Sequence, residues 1–231
     1  MVSLSFLLFM AVLSIIAALN IDPEDWPSQF IVSFSSNITT EGMGEQPVAG
    51  TMYYDWTQQV QRVDHDPGAV ECVEFYNTQG GCVLIMNPQG MYRILNDPIP
   101  EGSLECCLDM DSIHASPPDW ATKSNPTYNG VFVDKYSGAP SYKWTFDNLN
   151  LNAPYHSRRR QLQEKEPHMY YQTISRKQPL VFTFPGKDGI QDYHFDVASM
   201  KSAPKDLPDG ALDGKFDLPA SCNVACPQSN N

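Results

Sequence analysis

The strongest constraint on the fold is a two-residue rhythm of apolar and polar side chains that recurs along the chain, with little apolar spacing at the helical period. Tyr142, Trp144 and Phe146 alternate with Lys143, Thr145 and Asp147. Phe30, Val32 and Phe34 alternate with Ile31, Ser33 and Ser35, and Tyr193, Phe195 and Val197 alternate with His194, Asp196 and Ala198. Successive residues of a strand point to opposite faces, so this rhythm predicts strands with one buried face. Further strands are predicted over residues 48–56, 58–65, 70–76, 82–87, 91–95, 130–136, 169–175 and 179–184. Turn residues separate them, among them Asp66-Pro67-Gly68, Gly80-Gly81, Pro88-Gln89-Gly90 and Gly138-Ala139-Pro140. Short links between consecutive strands favour an antiparallel meander. The expected fold is mainly all-β: a strongly curved antiparallel sheet or half-open barrel of about ten strands, with one or two short helices near residues 117–123 and 159–165.

Residues 1–19 carry no ionisable side chain and include a continuous apolar run that ends in small residues. That pattern predicts a secretory signal peptide, leaving residues 20–231 as a single β domain. The formal charge of −12 comes from 27 acidic against 15 basic residues and argues against a nucleic-acid partner, whose phosphates would be repelled. No second stretch approaches a membrane span, and the polar end after Cys226 does not match a GPI signal, so a soluble mature protein is expected. Export makes Cys72, Cys82, Cys106, Cys107, Cys222 and Cys226 a disulfide set. The adjacent Cys106 and Cys107 are strained against pairing with each other. Each is expected to reach a distant partner and tie the Cys222/Cys226 tail to the sheet, with Cys72–Cys82 as a local bridge. Asn37-Ile38-Thr39 is the usable glycosylation sequon, because Asn125 is followed by proline.

Two predicted strands are apolar on both faces: Val83, Leu84, Ile85 and Met86 in one, then Met91, Tyr92, Ile94 and Leu95 in the other. A sheet with one solvated face does not need this. Either a loop or helix covers the second face, or that face encloses an apolar cavity.

Other constellations read more plainly. Asp64-His65-Asp66 holds metal-ligand types but abuts a turn. Asp109 and Asp111 place two carboxylates on one side of an extended segment, where oxygens could hold calcium as an optional cation; no EF-hand loop is present. Arg158, Arg159 and Arg160 form a basic run that reads as an exposed linker, a processing site or a contact for anionic head groups. The five histidines are scattered. No GxSxG, HExxH, phosphate-loop or dinucleotide motif occurs, so the chain is not expected to be an enzyme.

One stretch resembles the ependymin family: Tyr54-Asp55-Trp56 closing one strand, followed by Arg62-Val63-Asp64 in the next. The pieces that follow are similar in order: Gly90-Met91-Tyr92, then Cys106-Cys107-Leu108-Asp109-Met110, then Asp134 to Gly138 with a later Trp144. Tyr193-His194-Phe195-Asp196 and the run from Phe216 to Cys222 complete the likeness, which covers most of residues 26–222. The vicinal cysteines, Cys226 and the linker around Arg158 depart from the family pattern. The resemblance implies a secreted or lysosomal glycoprotein with a fold like the bacterial LolA lipoprotein carriers, an unfinished barrel with an apolar concave pocket.

It implies a hydrophobic small molecule or lipid as ligand, and the double-faced and aromatic strands supply the pocket candidates: Val83, Ile85, Met91, Ile94, Tyr142, Trp144, Phe146, Phe182 and Phe195. Extracellular-matrix or membrane-surface contact and a homodimer are further expected partners; no resident cofactor is required. The competing readings are a calcium-dependent adhesion glycoprotein with nothing inside, and a hydrolase without local motifs.

Overall fold

The computed structural model describes residues 21–40, 44–69, 72–73, 76–134, 137–146, 168–186 and 189–226, with side chains for all of these except 37–40, 44–48, 184–186 and 189–191. The leader, the Arg158 to Arg160 run, the helix expected at 159–165 and the side chain of Asn37 lie outside these residues.

Twelve strands form one antiparallel sheet. They are β1 (Gln29–Thr40), β2 (Gly44–Asp55), β3 (Val60–His65), β4 (Cys82–Asn87), β5 (Gly90–Leu95), β6 (Cys106–Met110), β7 (Thr127–Val133), β8 (Pro140–Phe146), β9 (His168–Thr173), β10 (Pro179–Gly186), β11 (Gly189–Phe195) and β12 (Lys201–Ser202). The order β6-β5-β4-β3-β2-β1-β11-β10-β9-β8-β7 does not close, and β12 pairs beside β11 on β1. A curved, open, mainly β architecture is thus what the alternation predicted. Among the described residues there is one short helix, α1 (Trp120–Lys123), and a 3-10 turn at Ala220–Asn223.

Two elements differ from expectation. The stretch 70–76 is not a strand where it is described: the amides of Val73 and Asn77 donate to the carbonyls of Ala69 and Val73, the spacing of helical turns. Ala69, Cys72, Val73 and Tyr76 are at i, i+3, i+4 and i+7, which puts one side of the turns onto the sheet. β6 was not predicted, because Cys-Cys-Leu-Asp-Met lacks alternation.

The cysteine pairing follows the expectation. Cys72 bonds Cys82, Cys106 bonds Cys222 and Cys107 bonds Cys226. The last two carry the C-terminal segment to the β6 edge, where Leu108 forms a parallel bridge with Ala225.

The strand order has one large consequence. β6 and β7 are consecutive in sequence but lie at opposite edges, so the strap 111–126 must cross the sheet. It crosses the face that carries the main core, here called the concave face. Gly50 marks how closely β1 to β3 pack on that side. A Cβ there would collide with the Phe34 ring and the Asp64 carbonyl.

Candidate functional site

The register fixes which side chains share the concave face. One row runs Val32, Met52, Val63, Leu84 and Arg93 across β1 to β5; another runs Tyr193, Phe182, Tyr170, Trp144 and Tyr128 across β11 to β7. Two aromatic residues from outside the strands fill the middle. Trp26, from the N-terminal arm, meets Phe30, Tyr54 and Trp120 edge-on at 5.6–5.7 Å between ring centres. Trp120 of α1 contacts Phe146, Tyr170 and Phe182 at 5.1–5.6 Å.

Polar groups lock this plug. Trp26 Nε1 donates to Tyr170 Oη (2.9 Å), Trp144 Nε1 to the Ile21 carbonyl (2.7 Å) and Tyr54 Oη to the Ser116 carbonyl (2.8 Å). The Gln172 amide exchanges two bonds with the Glu24 backbone. Burial raises the Tyr170 and Tyr54 phenol pKa values above the ordinary range.

The plug does not cover the whole face. Met86, Tyr128, Tyr142, Phe182 and Tyr193 remain half-buried around it, and Leu84 is half-buried against the cluster of Ala69, Cys72, Tyr76, Cys82 and Leu95. Where the face reaches the β7 edge, Val131 and Val133 are 57% and 70% exposed. Lys177 Nζ sits 4.4 Å from the Tyr142 ring centre.

The pocket residues expected from sequence divide between two faces. Met91, Tyr142, Trp144, Phe146, Phe182 and Phe195 are on the concave face, with Trp144, Phe146 and Phe195 inside the core cluster. Val83, Ile85 and Ile94 point to the opposite, convex face, because they pair in rows with Asp64, Arg62 and Cys106. They cannot share a pocket with Tyr142. Of the two explanations for strands apolar on both sides, cover by a loop is the observed one. Arg62 donates to the Lys215 carbonyl (2.9 Å), Lys215 Nζ lies 5.1 Å from the Tyr53 ring centre, and the Cys106–Cys222 bridge fastens the tail on the same side. Val83 and Ile85 are buried on that face.

The expected cation pair is also differently placed. Asp109 accepts from Tyr76 Oη (3.1 Å), while Asp111 is exposed just beyond β6. Burial raises the Asp109 pKa above the ordinary carboxylate value, against the lowering pull of the Arg93 charge and the Tyr76 bond. His65, Cys72 and Cys82 bring donor atoms within 4.8 Å of one another, yet both sulfurs are consumed in one disulfide and are not thiolate ligands. On the convex side, a cavity of about 420 Å³ is lined by Ser33, Ser35, Asp134, Ser137, His194 and Asp196 among others. There Asp134 Oδ2 accepts from the amide and hydroxyl of Ser137 (2.7 and 2.6 Å), and Asp196 Oδ1 accepts from the Ala198 amide (3.0 Å).

Sequence reasoning passed over Arg93. An arginine in an alternating strand reads as a solvent-facing residue, and only the register reveals that it is on the concave face, 8% exposed.

No protein-family model matches the chain, and none of the curated proteins does. The likeness to ependymins therefore rests on the sequence pieces alone. Several solved structures match over most of the chain at low identity. An uncharacterised conserved protein from Thermus thermophilus is 12% identical, with a TM-score of 0.49 over 86% of this chain and 90% of that one. The LolA superfamily protein NE2245 from Nitrosomonas europaea is 9% identical, with a TM-score of 0.38 over 84% and 94%. MucB, solved in complex with MucA, is 10% identical, with a TM-score of 0.39; the match covers 86% of this chain but 56% of MucB.

Proposed function

We propose that this is an exported carrier, extracellular or lysosomal, that holds the apolar chain of a lipid or fatty acid along the concave face of its open sheet. The observation that supports it most directly is the apolar fringe around the plug. Leu84 and Met86 on one side, and Phe182, Tyr142 and Tyr193 on the other, keep partly exposed surface on the face where the core lies. The fringe continues to the exposed Val131 and Val133. Contiguous apolar surface bordered by polar groups marks ligand or interaction sites in soluble proteins. The ligand lies beside Trp26 and Trp120 rather than in an empty barrel.

Burial supplies the affinity. At about 25 cal/mol per Å², an acyl chain removing about 300 Å² from water gains about 7 kcal/mol before ordering costs. Val131→Asp combined with Val133→Asp should weaken binding of a fluorescent fatty acid. Native mass spectrometry of protein purified from its own host should show a co-purifying amphiphile. No bound amphiphile, and no shift with added fatty acid or phospholipid, removes the carrier reading.

A further inference from the structure

We propose that Arg93 is the seat of an oxyanion, so that the carried amphiphile is an acid with a carboxylate or phosphate head and not a neutral lipid; this rests on the carrier reading above. β5 presents Met91, Arg93 and Leu95 to the concave face, all of them buried. The cross-strand neighbours of Arg93 are Leu84, part of the apolar fringe, and Cys107.

A guanidinium stays charged in any protein and carries five N–H donors. Arg93 uses one strongly directed bond, from Nη2 to Cys107 Sγ at 3.2 Å, and a sulfur is a weak acceptor. The Tyr76 ring centre is 4.6 Å from Cζ. Nε is buried with no hydrogen-bond partner. Asp109 is the acidic group that feels the Arg93 charge, but no ion pair joins them, and its Oδ2 is engaged by Tyr76.

Arg62 provides the control within the same molecule. It is more exposed, yet it forks onto both oxygens of Asp64 (2.5 and 3.1 Å) and donates to a carbonyl as well. A buried guanidinium with an unbonded N–H and no carboxylate in its fork is costly, and buried charges in folded proteins are normally paired. The planar fork of Arg93 matches a carboxylate or phosphate, which would satisfy Nε and neutralise the charge together. The adjacent Leu84 gives the attached chain an apolar start on the same face.

The test compares hexadecanoate with hexadecanol on the full disulfide-bonded protein by displacement of a fluorescent probe. The acid should bind about tenfold more tightly or better, the range of a charge-assisted hydrogen bond. Arg93→Gln should remove the preference for the acid over the alcohol, and Arg93→Lys should keep part of it. Equal binding of acid and alcohol by the unaltered protein overturns the anion seat and leaves the carrier reading standing; that comparison needs no variant to fold. If neither binds, the carrier reading falls. Thermal unfolding in inorganic phosphate against chloride at matched ionic strength then decides Arg93 by itself. A phosphate-dependent rise in Tm that Arg93→Gln abolishes keeps the anion seat; no rise overturns it.

Discussion

The two wings of the sheet are held by different means. The β3–β6 wing contains all three disulfides. Its outer strand is sealed by the tail: Leu108 donates to the Val224 carbonyl (2.8 Å) and the Cys226 amide donates back to Leu108 (2.9 Å). The β7–β10 wing has no disulfide among the described residues and is held instead by Trp120, Trp144, Phe146 and Tyr170 packed ring to ring. Its outer strand carries no charged residue and exposes Val131, Phe132 and Val133. The contrast shows what each cross-link replaces. A polar tail offers little apolar area, so covalent bonds hold it; four large rings bury enough area to hold their wing without sulfur.

Removing both tail bridges, Cys106–Cys222 and Cys107–Cys226, by Cys→Ser substitution should have the largest effect. The two bridges close the same loop, over 116 and 119 residues, and the loop-entropy model assigns about 4–5 kcal/mol to a closure of that size. Denaturant unfolding measures it. A loss below about 1 kcal/mol would mean that backbone pairing with Leu108 already holds the tail.

Trp120→Ala should come next, at about 3–5 kcal/mol, because the residue is 7% exposed and touches rings from three strands. If the wings are independent, this loss and the disulfide loss add to within about 0.5 kcal/mol in the combined variant. A larger discrepancy breaks the two-wing description, because it would couple the plug to the tail.

The wings should also fail at opposite ends of the pH scale. His65, on the sulfur wing, is buried and its pKa falls from 6.5 to about 4, chiefly through desolvation. The unfolded chain therefore binds a proton first as pH falls. The corresponding stability, about 3 kcal/mol at 1.36 kcal/mol per pKa unit, is whole above about pH 6.5 and lost progressively toward pH 4. Asp109 acts in the other direction, because its raised pKa favours the protonated folded form. On the aromatic wing, burial raises the Tyr170 phenol, so the unfolded chain loses its proton first and stability declines as pH rises past the ordinary phenol value. Unfolding curves of His65→Leu should lose the decline between about pH 6.5 and pH 4 and keep the alkaline one. Loss of both, or of neither, contradicts the assignment.

The sequence made the strands far more legible than their faces. The ends predicted for residues 82–87 coincide with β4, because its double-faced apolar run is bounded by turn glycines and proline. The 70–76 stretch was misread because its apolar residues satisfy both periods over so short a run; the helical one prevailed once the Cys72–Cys82 bridge drew those turns onto β4 and β5. Pocket membership failed at a different level. Which side Val83 or Tyr142 faces depends on pairing across the strap-crossed sheet, information held in no single segment. Arg93 was hidden for the same reason. Its burial arises from Tyr76, seventeen positions earlier, and from a disulfide to the far end of the chain.

The smallest effect is expected at the open edge. Val133 is 70% exposed on the last strand of the aromatic wing, and no strand pairs beyond it among the described residues. Val133→Asp should change the stability of ligand-free protein by no more than about 0.5 kcal/mol, the usual range for exposed positions. A charge there also guards the edge against pairing with another strand. The two edges can therefore be compared directly, since the sealed one should lose several kcal/mol when its two staples are cut while the open one tolerates a charge. A loss above about 1.5 kcal/mol at Val133 would show that the β7 edge is covered in solution, and the contrast between a sealed and an open edge would no longer hold.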